Sequence, residues 1–253
     1  MPAEPTVAPA DPTSSSPGVD PPSPSRDAGA EAEAMAMGTP SPCQRTNLFC
    51  DDFDDGDGSI GTKWSAVTTS AGPFDLDETL LVSPPRALRL RTTTGAGVRG
   101  SALKQFLNIA SDVKISLDVR VDIPSTGSFE AIAPLIVGVS PASQGLAFQS
   151  FTLLLHPEGG AFEAYRSFTD GGSASSSERM SFSYGVYHRI TVTLRSAGGT
   201  TTAVAAVDGV IASTRTLQTE TPRSLGVEVG ASYTRDVNLA ATIRVDNVIV
   251  ERL

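Results

Sequence analysis

The chain is poor in the residues that most often carry chemistry: among 253 residues there are two Cys, two His and one Trp, with aromatics at 6%. Two Cys and two His make no zinc quartet once the Cys are paired with each other. No apolar run approaches the ~18 residues that a membrane-spanning helix needs. Positive charge is scarce as well, since 19 Lys and Arg face 28 Asp and Glu for a net −9. A nucleic-acid partner, whose phosphates need a basic face, is thereby excluded. The G-x-S-x-G elbow of serine esterases is absent too. What remains is length, ample for one sizeable core.

Composition changes sharply after residue 42. Residues 1–42 hold 10 of the 18 prolines and no Leu, Ile, Phe, Tyr or Trp. Six acids there (Glu4, Asp11, Asp20, Asp27, Glu31, Glu33) face one base, Arg26. Such a segment buries too little apolar surface to offset ordering, at about 1–2 kcal/mol per residue for the backbone alone. A disordered spacer is predicted over 1–42, ahead of one folded domain over 43–253. Met1-Pro2-Ala3-Glu4 shows neither the basic start nor the apolar run of a signal peptide. Acidic Pro/Ser/Ala spacers are nonetheless common in bacterial surface proteins, so an extracellular or cell-surface location is expected. Cys43 and Cys50 stand where the domain begins. They form either a bridge, which the secretion-like context favours, or two free thiols.

From there the period is two. Val113, Ile115, Leu117, Val119 and Val121 alternate with polar residues, as do Ile190, Val192 and Leu194, and Leu88 with Leu90. Continuous apolar runs over 131–139 and 151–155 predict strands covered on both faces. Turn signals separate the runs, and Asp208-Gly209 between 201–207 and 210–216 is the strongest hairpin signature. Only 102–108 reads as a helical turn. A dozen or so short strands without a mid-chain linker predict one large antiparallel sandwich.

Three segments together resemble a known superfamily. The opening Leu48–Gly58 with Lys63-Trp64 resembles the "D-E-F-x-G…W" start of laminarinase-type glycoside hydrolases, and Ile243–Val250 looks like their final strand. Gly185–Thr193 and Val207-Asp208-Gly209 are similar to the "W-H-H-V-A-V-T…V-D-G" hairpins of laminin-G-like modules. The resemblance implies an all-β concanavalin A-like jelly roll with two stacked antiparallel sheets and adjacent first and last strands. It also implies a structural calcium held by Asp52 and Asp246. The cluster of Asp51, Asp52, Asp54, Asp55 and Asp57 fits either a bound cation or a hydrated turn. Trp64 is expected to pack the first strand onto the core.

The hydrolases of this fold carry E-x-D-x-x-E on one strand, so that two carboxyls share a face at about 5–5.5 Å. No frame of this sequence contains that pattern, and Asp75 and Asp77 read as a hydrated pair beside a turn. Catalysis by the fold's known routes is disfavoured. His188, in phase with Ile190 and Val192, reads as a hydrogen-bonded core histidine, and His156, before Pro157 at a strand end, as an exposed surface-loop residue or a ligand contact. A sugar site joins an aromatic to planar hydrogen-bonding groups. The candidates are Glu163 and Tyr165 on one face of their strand, Arg166 on the other, and Gln149 and Arg179 nearby. The expected function is a non-catalytic module, monomeric, that binds carbohydrate or another surface polymer. The alternatives are a divergent polysaccharide hydrolase or lyase and a purely structural or adhesion domain.

Overall fold

The computed structural model describes residues 43, 47–54, 60–69, 74–92, 100–107, 112–124, 129–140, 146–198, 200–217, 224–235, 238 and 241–253. All of them belong to the contact unit Thr39–Leu253. The spacer expected over 1–42 lies outside the described residues, as do Asp55 and Asp57.

Alternating apolar residues form strands here because each buries one side against the other sheet. In chain order they are β1 (Phe49–Asp51), β2 (Ala66–Thr69), β3 (Phe74–Asp77), β4 (Ala87–Arg91), β5 (Gly100–Leu107), β6 (Val113–Asp122), β7 (Ala131–Ser140) and β8 (Leu146–His156). They continue as β9 (Gly159–Phe168), β10 (Ser173–Met180), β11 (Tyr187–Ala197), β12 (Thr200–Val207), β13 (Val210–Leu217), β14 (Ser224–Arg235) and β15 (Thr242–Arg252). No α-helix occurs among the described residues.

Two antiparallel sheets face each other. One is ordered β13-β12-β11-β6-β15-β4-β3 with β1 beside β15, and the other β10-β9-β8-β7-β14-β5-β2. Ile115, Leu117, Val119, Ile190 and Val245 of the first sheet meet Leu135, Phe151, Leu153, Phe162 and Val227 of the second in one buried core. Each fully buried chain of this size stabilises by roughly 1.5–3 kcal/mol. The ends of the domain close it as the resemblance implies, because Phe49 to Asp51 pair with Val250 to Val248. Cys43 and Cys50 are bridged. Trp64 is buried between Phe49, at 5.0 Å, and Phe53, while its Nε1 donates to Asp51 Oδ2 at 2.7 Å.

Two readings of the sequence are corrected. Residues 102–107 are not a helical turn but most of β5, paired with β14 and with β2. Leu103, Phe106 and Leu107 sit at helical spacing by coincidence, and tertiary pairing overrides that local pattern. Asp77 is not hydrated but buried, and Asp75 is ion-paired while its side chain stays exposed. Arg89 grips Asp75 with two bonds of 2.8 Å. Asp77 is buried against Arg244 Nε at 2.5 Å and Arg89.

Candidate functional site

The face of the second sheet that points away from the core carries a cleft of about 770 Å³. Strand alternation decides which residues reach it. On β8, Phe151, Leu153 and Leu155 point into the core, so Phe148, Ser150, Thr152 and His156 line the cleft. On β9, Phe162 and Ala164 point inward, so Glu163 and Tyr165 face out. Register then assembles the floor. Tyr165 stands between Ser150 and Ser175, Glu163 between Thr152 and Ser177, and Ala161 between Leu154 and Arg179. Diagonal neighbours in such a sheet are about 7–8 Å apart, within reach of long side chains. Arg179 and Glu163 are related in this way.

Of the five predicted ligand residues the fold brings three into the cleft: Glu163, Tyr165 and Arg179. Gln149 and Arg166 are corrections. They pair directly across β8 and β9 and share the inward phase of Phe151 and Phe162. Gln149 is fully buried. His156, expected at a strand end before Pro157, ends β8 and lines the cleft. Its Nδ1 lies 2.8 Å from the Glu130 carbonyl. A carbonyl only accepts, so Nδ1 carries the hydrogen and a neutral ring keeps Nε2 as an acceptor. The Tyr184 hydroxyl donates to the His156 carbonyl and so holds this turn. Arg235 pairs with Glu130 at 2.9 Å on the same rim. Burial pushes the Glu163 carboxyl above its ordinary range, and the nearby His156 opposes that shift.

Sequence reasoning missed three contributors. Phe148 is 39% exposed, a large ring left open to solvent in the cleft. Its signal was alternation with Phe151, Leu153 and Leu155, which places residue 148 outside. Tyr233 and Arg235 arrive from β14, about 70 residues away in sequence, and no local pattern announces them.

The predicted calcium pair does not fit a cation. Asp246 is fully buried, and its oxygens accept from Val82 N (3.0 Å), Ser83 N (2.9 Å), Ser83 Oγ (2.9 Å) and Asn247 N (2.8 Å). Four hydrogen-bond donors around one carboxylate suit an anion anchor, whereas calcium wants oxygen ligands. Asp52 accepts from Asp54 N within its own turn. Among the described residues no three His, Cys, Asp or Glu side chains gather to hold a metal ion. Asp246 thus ties the last strand to the 82–83 turn by hydrogen bonds. His188 packs on Phe182 at 4.5 Å and bonds Asp208 at 2.6 Å, in keeping with its structural reading.

No protein-family model matches the chain, and no curated protein matches it by sequence. Solved structures do match in shape. An endo-beta-1,4-glucuronan lyase from the fungus Trichoderma reesei superposes with a TM-score of 0.60 at 13% identity, over 82% of this chain and 96% of that one. The cellulose-induced protein Cip1 gives 0.56 at 15%, over 80% and 96%. A kappa-carrageenase from Zobellia galactanivorans gives 0.54 at 12%, over 85% and 99%. At such identities the likeness is one of fold, and the chain has the concanavalin A-like jelly-roll fold of two antiparallel sheets.

Proposed function

We propose that the cleft on the second sheet recognises carbohydrate, and that the protein is a secreted or surface-tethered binding module. The observation that carries this reading is the set of groups converging in one hollow. Phe148 and Tyr165 offer faces on which sugar rings stack, while Arg179, His156 and Glu163 offer planar hydrogen-bonding partners for hydroxyls or a carboxylate. The likeness to the glucuronan lyase and the carrageenase supports the ligand class by analogy of fold alone. The Pro-rich acidic stretch over 1–42 suits a tether that holds a domain clear of a surface.

A second reading, catalysis, has one observation in its favour. Glu163 is a half-buried carboxyl with a raised pKa, beside His156 and in the cleft with Tyr165. Groups shifted in this way mark sites of proton transfer as well as structural clusters. Affinity electrophoresis through gels containing polyglucuronate, carrageenan, laminarin or xylan separates the readings. Retardation without new reducing ends or unsaturated products is expected, and Arg179→Ala and Tyr165→Ala each weaken it about tenfold. Migration unchanged by every polymer overturns the carbohydrate reading, and chain cleavage that Glu163→Gln abolishes replaces binding with catalysis.

A further inference from the structure

We infer that the binding surface does not stop at Phe148 but continues into a second subsite that takes a neutral, hydroxyl-rich sugar and rejects an anionic one. This deepens the carbohydrate reading and rests on it. A second hollow of about 240 Å³ adjoins the first and shares Ile136 and Phe148 with it. From β10 to β5 the two together cross six strands, a path of about 24 Å at the usual strand spacing. That is longer than one sugar ring and suits an oligomer.

Phe148 divides the path because of what lies beneath it. A Cβ at position 138 would come within 2.8 Å of the Phe148 ring, so the ring can settle onto the sheet only over glycine. Gly138 pairs across with Gly226, and this bare stretch of backbone forms part of the floor of the second hollow. The ring therefore stands as a low wall, with a hollow on each side.

Charge differs across that wall. The first hollow sets the cations Arg179 and Arg235 beside Glu130, Glu158 and Glu163, so its walls offer both signs. Among the described residues, Glu228 is the one ionisable group lining the second, beside Gln105, Ser140 and Ser224. Ser101 Oγ donates to Glu228 Oε1 at 2.5 Å, which fixes the carboxylate in place and leaves Oε2 as an acceptor. Such an acceptor favours a sugar hydroxyl and opposes a uronate or sulfate, with no cation among the described residues that line this hollow to compensate.

The test uses the full chain and labelled dimers and tetramers of glucose and of glucuronic acid, read by fluorescence anisotropy. For the wild type, the gain in affinity from dimer to tetramer is expected to exceed tenfold for glucose and to be much smaller for glucuronate. Phe148→Ala removes the gain for glucose. Glu228→Gln raises glucuronate tetramer binding at least fivefold. A wild type that binds the probes with no length dependence, or with equal gains for both sugars, overturns the second subsite while leaving the carbohydrate reading intact. Wild type that binds none of the four overturns both.

Discussion

Two aspartates on the outer face of the first sheet pull stability in opposite directions with pH. Burial of Asp246 raises its carboxyl to about 6 despite the bonds from Ser83, Val82 and Asn247. The folded state therefore holds this proton more tightly than the unfolded one. The associated stability is fully present below about pH 4 and is lost as pH rises through about 6. Burial opposes the charge of Asp77 too, but the bonds from Thr79 and Arg244 prevail and lower it to about 2. Its contribution is present above about pH 4 and is lost as pH falls through about 2. Each is worth about 2–3 kcal/mol at about 1.4 kcal/mol per pKa unit. Burial raises Asp51 and Asp118 as well, which reinforces the Asp246 limb. Urea denaturation across pH is expected to give greatest stability near pH 4. Asp246→Asn should flatten the decline between pH 4 and 6, and Asp77→Asn the decline on the acid side. A maximum at neutral pH in the wild type contradicts this assignment. None of this was legible in the sequence, where Asp75-Leu76-Asp77 looks like any hydrated turn and the arginines that bury it lie on β4 and β15.

At the scale of the element, legibility followed the strength of local signals. Asp208-Gly209 turned as its composition demanded, with φ of 50° and 81°, because both central residues of that hairpin must be left-handed. The alternation of β6 and β11 fixed both their type and their inward faces. Residues 102–107 misled because three apolar residues at helical spacing outweigh alternation in so short a window, and the partners that decide the matter are 30 to 130 residues distant. Parity also explains the candidate site: once β9 is known to bury Phe162, Glu163 and Tyr165 must face out and Arg166 in. The first strand is a different case. It has three residues, held to β15 by its ladder and to the chain before it by the Cys43–Cys50 bridge. Closing a loop of this length restricts the unfolded chain by about 2.5 kcal/mol in the chain-entropy model. Cys43→Ser combined with Cys50→Ser is expected to lower unfolding free energy by about that amount with the sandwich intact by circular dichroism. Equal urea midpoints for the double variant and the wild type would show that β15 alone secures β1.

For the molecule as a whole, sequence yielded the sandwich more readily than the site, since a fold rests on repeated alternation and a site on side chains that only register brings together. The net charge of −9 adds a property that neither strand nor cleft has alone. An anionic polymer approaching this protein meets a net repulsive charge, and within the cleft Arg179 is a cation that it can contact. The two act over different distances. Long-range repulsion is felt at low salt, where the screening length is about 30 Å at 0.01 M, and fades when it drops to about 8 Å at 0.15 M. The contact between Arg179 and a carboxylate acts within a few ångströms, below either length, and weakens less. Association of polyglucuronate with the immobilised full chain should therefore accelerate several-fold from 0.01 to 0.15 M salt, while a neutral glucan shows no change. Biolayer interferometry reads both rates directly. A basic binding surface behaves in the opposite sense, with rates that fall as salt rises. Such a fall would mean that the field at the cleft, not that of the whole molecule, guides the encounter.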